Sequence, residues 1–307
     1  MTLVSIITPS FNQVSFLEQT IRSVLDQDHF ELEYIVIDGA STDGSVEIIK
    51  KYADKLAYWV SEKDSGQAEA VNKGMARAKG EIVAWLNSDD CYLPGAVRAA
   101  AEAFEANPDA AMVYGDMLAI DENGIVTNEF KYRQLSLDDL LCFEIIGQPA
   151  VFMRRAAFEK AGGLDMNFHF LLDHHLWIKI ASQGEIVHVP QTLAAARYHA
   201  AAKNRAQALE FGREAFRVLD WAQEQPDLTG PAKRLARRAR ASAHRVDARY
   251  LLDGGHPSAS LAAWMRAFFI HPPTALKRMN LFVSALLMLM GLQKMRAWIL
   301  ERRKRLL

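Results

Sequence analysis

The sequence predicts an α/β fold: a mostly parallel sheet flanked by helices, followed by an all-helical C-terminal region. Three observations predict it. Short apolar runs alternate with stretches of helical spacing between residues 3 and 106. The first four of those runs end on acids or small polar groups. From about Lys203 the spacing is helical throughout.

Residues 3–8 form the first strand, ending at Thr8-Pro9. Phe16 to Gln27 is a helix, with Phe16, Leu17, Ile21, Val24 and Leu25 on one face. Glu33 to Asp38 is the second strand. Ser41-Thr42-Asp43-Gly44 then supplies turn and cap chemistry for a helix to about Ala53. Leu56 to Val60 is the third strand, and Gly66 to Ala78 a helix stopped by Gly80. Glu81 to Leu86 is the fourth strand, and Ala96 to Ala106 a helix ended by Asn107-Pro108. Beyond it, Ala111–Leu118 and Ile125–Tyr132 flank a hairpin signal, Asp121-Glu122-Asn123-Gly124. A short helix over 135–143, a strand over 150–153, helices over 155–161 and 169–182 and a strand over 186–189 follow.

Strands alternating with helices imply parallel pairing, and ligands of such sheets lie beyond the C-terminal strand ends. Those ends carry Thr8, Ser10 and Asn12; Asp38; Glu62 and Asp64; and Asn87, Asp89 and Asp90. Adjacent carboxylates such as Asp89 and Asp90 repel unless a positive group sits beside them. A divalent cation bridging to a phosphate is the common use of such a pair. A solvated turn is the alternative.

A chain of 307 residues is long enough for one large domain or two. Cys91 and Cys142 are its only cysteines, which excludes a disulfide framework and fits a reducing, cytoplasmic compartment. The first residues have neither a basic region nor a long apolar run, so no signal peptide is expected. The net charge of −1 hides an asymmetry. Residues 1–230 hold 20 Lys+Arg against 34 Asp+Glu, and residues 231–307 hold 16 against 3. A basic tail on an acidic body suggests an anionic surface as partner. Nucleic acid is excluded, because no base-stacking aromatics interleave with the basic residues.

Five ordered segments together resemble the family-2 glycosyltransferases, enzymes of the GT-A fold that use nucleotide-sugar donors. They are residues 4–12, residues 36–44, Asp64-Ser65-Gly66-Gln67 with Asn72-Lys73-Gly74, residues 80–90, and Gly162-Gly163-Leu164-Asp165 with Asp173-His174-His175-Leu176-Trp177. The resemblance covers roughly residues 3–203 and is nearest to bacterial enzymes of polysaccharide and lipid-linked glycan synthesis. It implies a catalytic domain over 1–203 and a helical region over 204–307.

The resemblance also implies roles. Thr8, Pro9, Ser10, Asn12, Asp38, Asp64, Gly66, Gln67, Asn72, Lys73, Asn87 and Ser88 would line the donor nucleotide. Asp89 would bind Mg²⁺ or Mn²⁺, supported by Asp90 and by His199. Asp173 would be the general base of an inverting transfer to a glycan or lipid-linked hydroxyl, with Gln148 and His175 near the acceptor. Three places depart from the family pattern: Gly39 where a second acid is common, Asn87 for Asp in the metal motif, and the run Leu172-Asp173-His174-His175, which keeps one acid where two are common and has His175 in a place often held by Asp. They keep two other readings open: a non-catalytic nucleotide- or glycan-binding relative, and a nucleotidyltransferase of the same architecture.

In the C-terminal region, residues 231–252 and 257–271 read as a helical pair around Gly254-Gly255. The apolar run 281–292 is shorter than the roughly 20 residues that span a bilayer. Lys277, Arg278, Lys294 and Arg296 flank it, and Arg302-Arg303-Lys304-Arg305 lies beyond. An interfacial helix on the cytoplasmic face of an anionic membrane fits this composition, with packing on the catalytic domain or a dimer contact as alternatives.

Overall fold

The alternating apolar runs become one sheet in the computed structural model, which describes residues 2–29, 31–199 and 207–296. Strands β1 (Val4–Ser10), β2 (Leu32–Asp38), β3 (Tyr58–Ser61) and β4 (Ile82–Trp85) run parallel. All of β1 is buried, as a strand covered on both faces must be. Helices α1 (Leu17–Leu25), α2 (Ser45–Lys51) and α3 (Gln67–Met75) make the crossovers. Leu17, Ile21 and Val24 of α1 pack with Val4, Ile6, Tyr34 and Val36 in the main core. The chain moves outward from β1 to β2 and β3, then returns to place β4 on the other side of β1. The strand order therefore reverses between β1 and β4, and the crevice above those two ends is where such sheets bind ligands.

Beyond β4 come β5 (Cys91–Tyr92), α4 (Ala96–Ala106), β6 (Ala110–Ile120), β7 (Val126–Phe130), α5 (Leu137–Leu141), β8 (Val151–Arg154), α6 (Arg155–Lys160), α7 (Leu172–Ala181) and β9 (Glu185–Arg197). β8 pairs antiparallel with both β4 and β6, and β6 pairs parallel with β9. β6 and β7 form the expected hairpin. Two details differ from the sequence reading. β5, a two-residue strand on β9, is too short to leave a pattern. The last strand was expected over 186–189 but runs to Arg197. Pro190 argues against a continuous strand, and the ladder accommodates it with a register shift: Val189 pairs Gly115, while Thr192 pairs the next residue, Asp116.

The chain divides into two units, Met1–Ser136 with Ile145–Tyr198, and Leu137–Glu144 with His199–Leu307. The domain boundary expected at 203/204 lies outside the described residues. The second unit is helical: α5, α8 (Ala208–Glu224), α9 (Thr229–Asp253), α10 (Pro257–Ile270), α11 (Pro272–Leu276) and α12 (Met279–Leu289). The expected pair around Gly254-Gly255 is α9 and α10. Trp264 anchors its core with Ala241, Ala248, Leu281 and Ala285. Part of the basic charge is spent inside this unit. Arg234 pairs with Asp138 at 2.6 Å, and Arg245 donates to the Phe143 carbonyl at 3.0 Å. Among the described residues no helix is long and apolar enough to cross a membrane. The Arg302-Arg303-Lys304-Arg305 cluster lies outside them.

Candidate active site

The end of β4 is a tight turn. Asp90 N–H donates to the Asn87 carbonyl at 3.0 Å, so Ser88 and Asp89 are the central residues. The turn leaves the two acids in different surroundings. Asp90 is 5% exposed. Its Oδ1 accepts the Arg197 N–H at 2.9 Å, and its Oδ2 accepts from Asn87 Nδ2 at 3.2 Å. Burial, then the Asp89 charge, pushes its carboxyl well above the usual range. Asp89 is half-buried, and Ser88 is buried beside it.

Asn87 is clamped from three sides. Its Nδ2 also donates to Gln148 Oε1 at 3.0 Å, and its Oδ1 accepts from Gln67 Nε2 at 2.6 Å. Gln148 Nε2 donates to the Trp85 carbonyl at 2.8 Å. Gln148 is buried, and both ends of its amide hold β4 and the turn.

Two supports of this turn escape sequence reasoning. Arg197, at the end of β9, donates through Nε to the Asp89 carbonyl at 2.9 Å. Its Nη1 reaches the Asp121 carbonyl at 3.0 Å and its Nη2 reaches Gln19 Oε1 at 2.6 Å. The guanidinium lies over the Phe16 ring and is buried. The available signal was a lone arginine closing an apolar strand, a residue that is buried only when paired. The second support is a polar stripe along and just beyond α1. Thr20 donates to the Asp90 carbonyl at 2.7 Å, Ser23 accepts from Tyr92 N–H at 3.1 Å, and Gln27 donates to the Leu93 carbonyl at 3.0 Å. Three uncharged hydrogen-bonding residues at spacings of three and four were its trace in the sequence.

The loops after β1 and β2 lock together. Asn12, at φ +52°, accepts the Thr42 N–H on its Oδ1 at 2.9 Å, and its own N–H donates to Ser41 Oγ at 2.8 Å. Asp38 accepts from the Ser41 N–H at 2.9 Å and from the Ser61 hydroxyl at 2.7 Å. Thr8 is turned into the core, where its hydroxyl meets that of Tyr34 at 3.0 Å. Pro9 is buried with it. Ser10 is different: its Oγ is buried at the end of β1 with no hydrogen-bond partner among the described residues. Such a group calls for a ligand or a water.

Asp64 fills the space beside Gly39. A Cβ on Gly39 would come within 2.9 Å of Asp64 Oδ2. The acid missing after Asp38 is thus replaced in space by a carboxylate from the end of β3. Asp64 Oδ1 accepts the Gly66 N–H at 2.9 Å, and Gly66 takes φ +127°, which favours glycine. Burial raises the Asp64 carboxyl above its ordinary value, opposed by the Gly66 hydrogen bond.

Asn72 and Lys73 support the site from the side. Asn72 accepts the Leu164 N–H at 3.0 Å and donates to the Leu164 carbonyl at 2.8 Å, docking the Gly162-Gly163 turn on α3. Lys73 pairs with Glu62 at 3.1 Å and Glu69 at 2.9 Å. Lys179 of α7 donates to the Gly163 carbonyl at 2.9 Å. That bond ties the last turn of α7 to the glycine turn, and Asp173 lies half-buried in the first turn of the helix. One turn on, Trp177 stacks on Trp85 with ring centroids 5.3 Å apart, so α7 covers the face of β4 that leads to Asn87. His174 and His175 are packing residues. His175 is 1% exposed, stacks on Phe168 at 4.2 Å and is held neutral, its pKa lowered to about 3 mainly by burial. His199 is half-buried just past β9, in the helical unit.

A divalent ion fits the chemistry of the β4 turn. Mg²⁺ and Mn²⁺ accept oxygen ligands, and Mg²⁺ is commonly held by one or two carboxylates with phosphate oxygens completing the shell. Asp89 is such a carboxylate, and beside it both oxygens of Asp90 accept protein hydrogen bonds. Among the described residues no three His, Cys, Asp or Glu side chains gather into an ion site of their own. The donor set fits an ion shared with a phosphate ligand.

Known proteins resemble this chain in sequence and in fold. A putative teichuronic acid biosynthesis glycosyltransferase of Bacillus subtilis, TuaG, is 33% identical over 188 residues, covering 59% of this chain and 73% of that protein. An uncharacterized glycosyltransferase of Mycobacterium tuberculosis (strain H37Rv) is 31% identical over 183 residues, covering 58% of this chain and 68% of that protein. Among solved structures, S. aureus TarS 1-349 in complex with UDP-GlcNAc superposes with a TM-score of 0.65 at 15% identity, over 94% of this chain and 92% of that one. The mannosyltransferase PcManGT from Pyrobaculum calidifontis, in complex with GDP-Man and Mn²⁺, gives 0.63 at 20% identity, over 93% and 86%. These structural likenesses establish the GT-A fold. With the model of glycosyl transferase family 2 matching residues 5–161, the chain belongs to the family-2 glycosyltransferases.

Proposed function

We propose that this glycosyltransferase moves a sugar, with inversion, from a nucleoside-diphosphate sugar to a hydroxyl of a glycan or lipid-linked acceptor. The observation that carries the reading is the pair of polar ends beyond the adjacent strands β1 and β4. At the first, Ser10 Oγ is buried with no hydrogen-bond partner among the described residues; at the second, a turn leaves Asp89 half-buried while burying Asp90.

The nucleoside lies over the β1 and β2 ends, with Ser10 and Asp64 as hydrogen-bonding groups. Asp89 would hold a divalent ion together with the donor's phosphates, and Asp90, Asn87 and Arg197 hold the turn that carries Asp89. When bound, the ion neutralises charge on the departing diphosphate. Asp173 accepts the proton of the acceptor hydroxyl as that oxygen attacks the anomeric carbon. The bond to the diphosphate breaks on the opposite face, and the nucleoside diphosphate leaves with the electron pair.

Asp173→Asn tests the assignment. Turnover of a nucleotide sugar, found by screening donors for hydrolysis or transfer, falls about 10²- to 10⁴-fold, while donor affinity measured by calorimetry is unchanged. Equal turnover in both proteins would remove Asp173 from the chemistry. Release of pyrophosphate from a nucleoside triphosphate would favour a nucleotidyltransferase instead.

A further inference from the structure

The helix α12 is apolar on the face it packs and on the face it shows to solvent. Leu281, Ser284, Ala285 and Leu287 are buried in the helical unit, and Phe282 leans on Trp264 with centroids 4.7 Å apart. The outward stripe is Met279, Val283, Leu286 and Met290, at spacings of four, three and four. Met279 and Val283 are each 40% exposed and Met290 60% exposed. Its eleven residues, Met279–Leu289, carry no charge at all. A surface helix of a soluble protein normally turns a polar face to water, and one apolar all round belongs in a core or at a membrane.

Charge decides between partners. Exposed Lys277, whose Nζ also lies 3.9 Å from Glu144 Oε1, and exposed Arg278 stand immediately before α12. After it, Gly291 takes φ +72° and the Leu292 N–H returns to the Leu287 carbonyl at 2.8 Å, which ends the helix. Exposed Lys294 follows within the next turn of chain. An apolar stripe bracketed by cations fits a surface of apolar interior and anionic rim. At about 1.5 Å per residue the helix is far too short to cross a bilayer, so it would lie in the interface plane.

We propose that the α12 stripe of Met279, Val283, Leu286 and Met290, flanked by Lys277, Arg278 and Lys294, docks on an anionic lipid membrane. The docking stands apart from the transferase chemistry, since it uses none of the residues at the β1–β4 crevice. With that chemistry, it would hold the enzyme beside a lipid-linked acceptor.

The test is cosedimentation of the full chain with vesicles of phosphatidylcholine alone and of about three parts phosphatidylcholine to one part phosphatidylglycerol. The wild-type chain is expected to bind the anionic vesicles at least about ten-fold more strongly, and to release as salt rises. Val283→Asp with Met290→Asp should cut that binding about ten-fold, with the helical circular dichroism unchanged. Lys277→Glu with Lys294→Glu, which leaves the apolar stripe intact, should do the same. Equal binding to both vesicles, or none to either, overturns the proposal. So does a concentration-dependent dimer in light scattering that Val283→Asp with Met290→Asp disperses, which would make the stripe a contact between two copies of the chain.

Discussion

Asn87 Nδ2 donates to Gln148 Oε1 at 3.0 Å, and Gln148 Nε2 donates to the Trp85 carbonyl at 2.8 Å. The carbonyl accepts only, so it fixes which way the Gln148 amide faces. That in turn requires a donor on Asn87. An aspartate at this position would set a carboxylate against two acceptors, Gln148 Oε1 and the buried Asp90 Oδ2. The amide at the departing position is thus part of this chain's own hydrogen-bond clamp.

Asn87→Asp, although it restores the commoner family residue, is expected to destabilise the protein by about 2–4 kcal/mol, from two lost donors beside a buried acid. Urea unfolding measures it. Unchanged or higher stability would mean that the amide clamp does not matter.

Gly39 and Asp64 should behave as one site. A methyl at Gly39 comes within 2.9 Å of Asp64 Oδ2 and must displace the carboxylate. Gly39→Ala and Asp64→Ala are each expected to weaken UDP or GDP binding about ten-fold, the effect of one lost charge-assisted hydrogen bond. The double variant should lose no more than either single one. Additive losses would place the two residues in separate roles.

The pH dependence of stability carries the mark of His175. Its folded pKa is about 3, against 6.5 ordinarily. Between those values the unfolded chain binds the proton and the folded chain does not, so stability rises with pH across this window. Acidification below pH ~6 should cost about 1.4 kcal/mol per unit from this group alone. His175→Phe should flatten that slope in unfolding measured from pH ~4 to ~6. An unchanged slope would show that His175 titrates normally.

The parallel half of the sheet was legible because each apolar run stops at a polar end, a pattern local in sequence. The antiparallel half was less so. β9 is interrupted by Pro190, and the register shift that carries it past β6 is visible only in the pairing. At the site, residue types in the sequence marked positions but not hydrogen-bond partners. Asp38 bonds to Ser41 and Ser61, Asn72 to Leu164, and Gln148 to Trp85 and Asn87. Which atom a side chain bonds depends on neighbours far off in sequence. For the same reason the sequence showed Arg197 closing its strand but not its partner Asp90, 107 residues away.

The claim that the β4 turn is built to aim Asp89 at an ion shared with a diphosphate has one direct test. Calorimetric titration of UDP and of GDP, with and without Mn²⁺, is made on the wild-type chain and on Asp89→Ala. The account predicts that one of the nucleotides binds the wild type with Mn²⁺, that affinity falls at least about ten-fold without the ion, and that Asp89→Ala no longer responds to it. Binding that ignores both Mn²⁺ and the loss of Asp89, or no binding of either nucleotide, would contradict it.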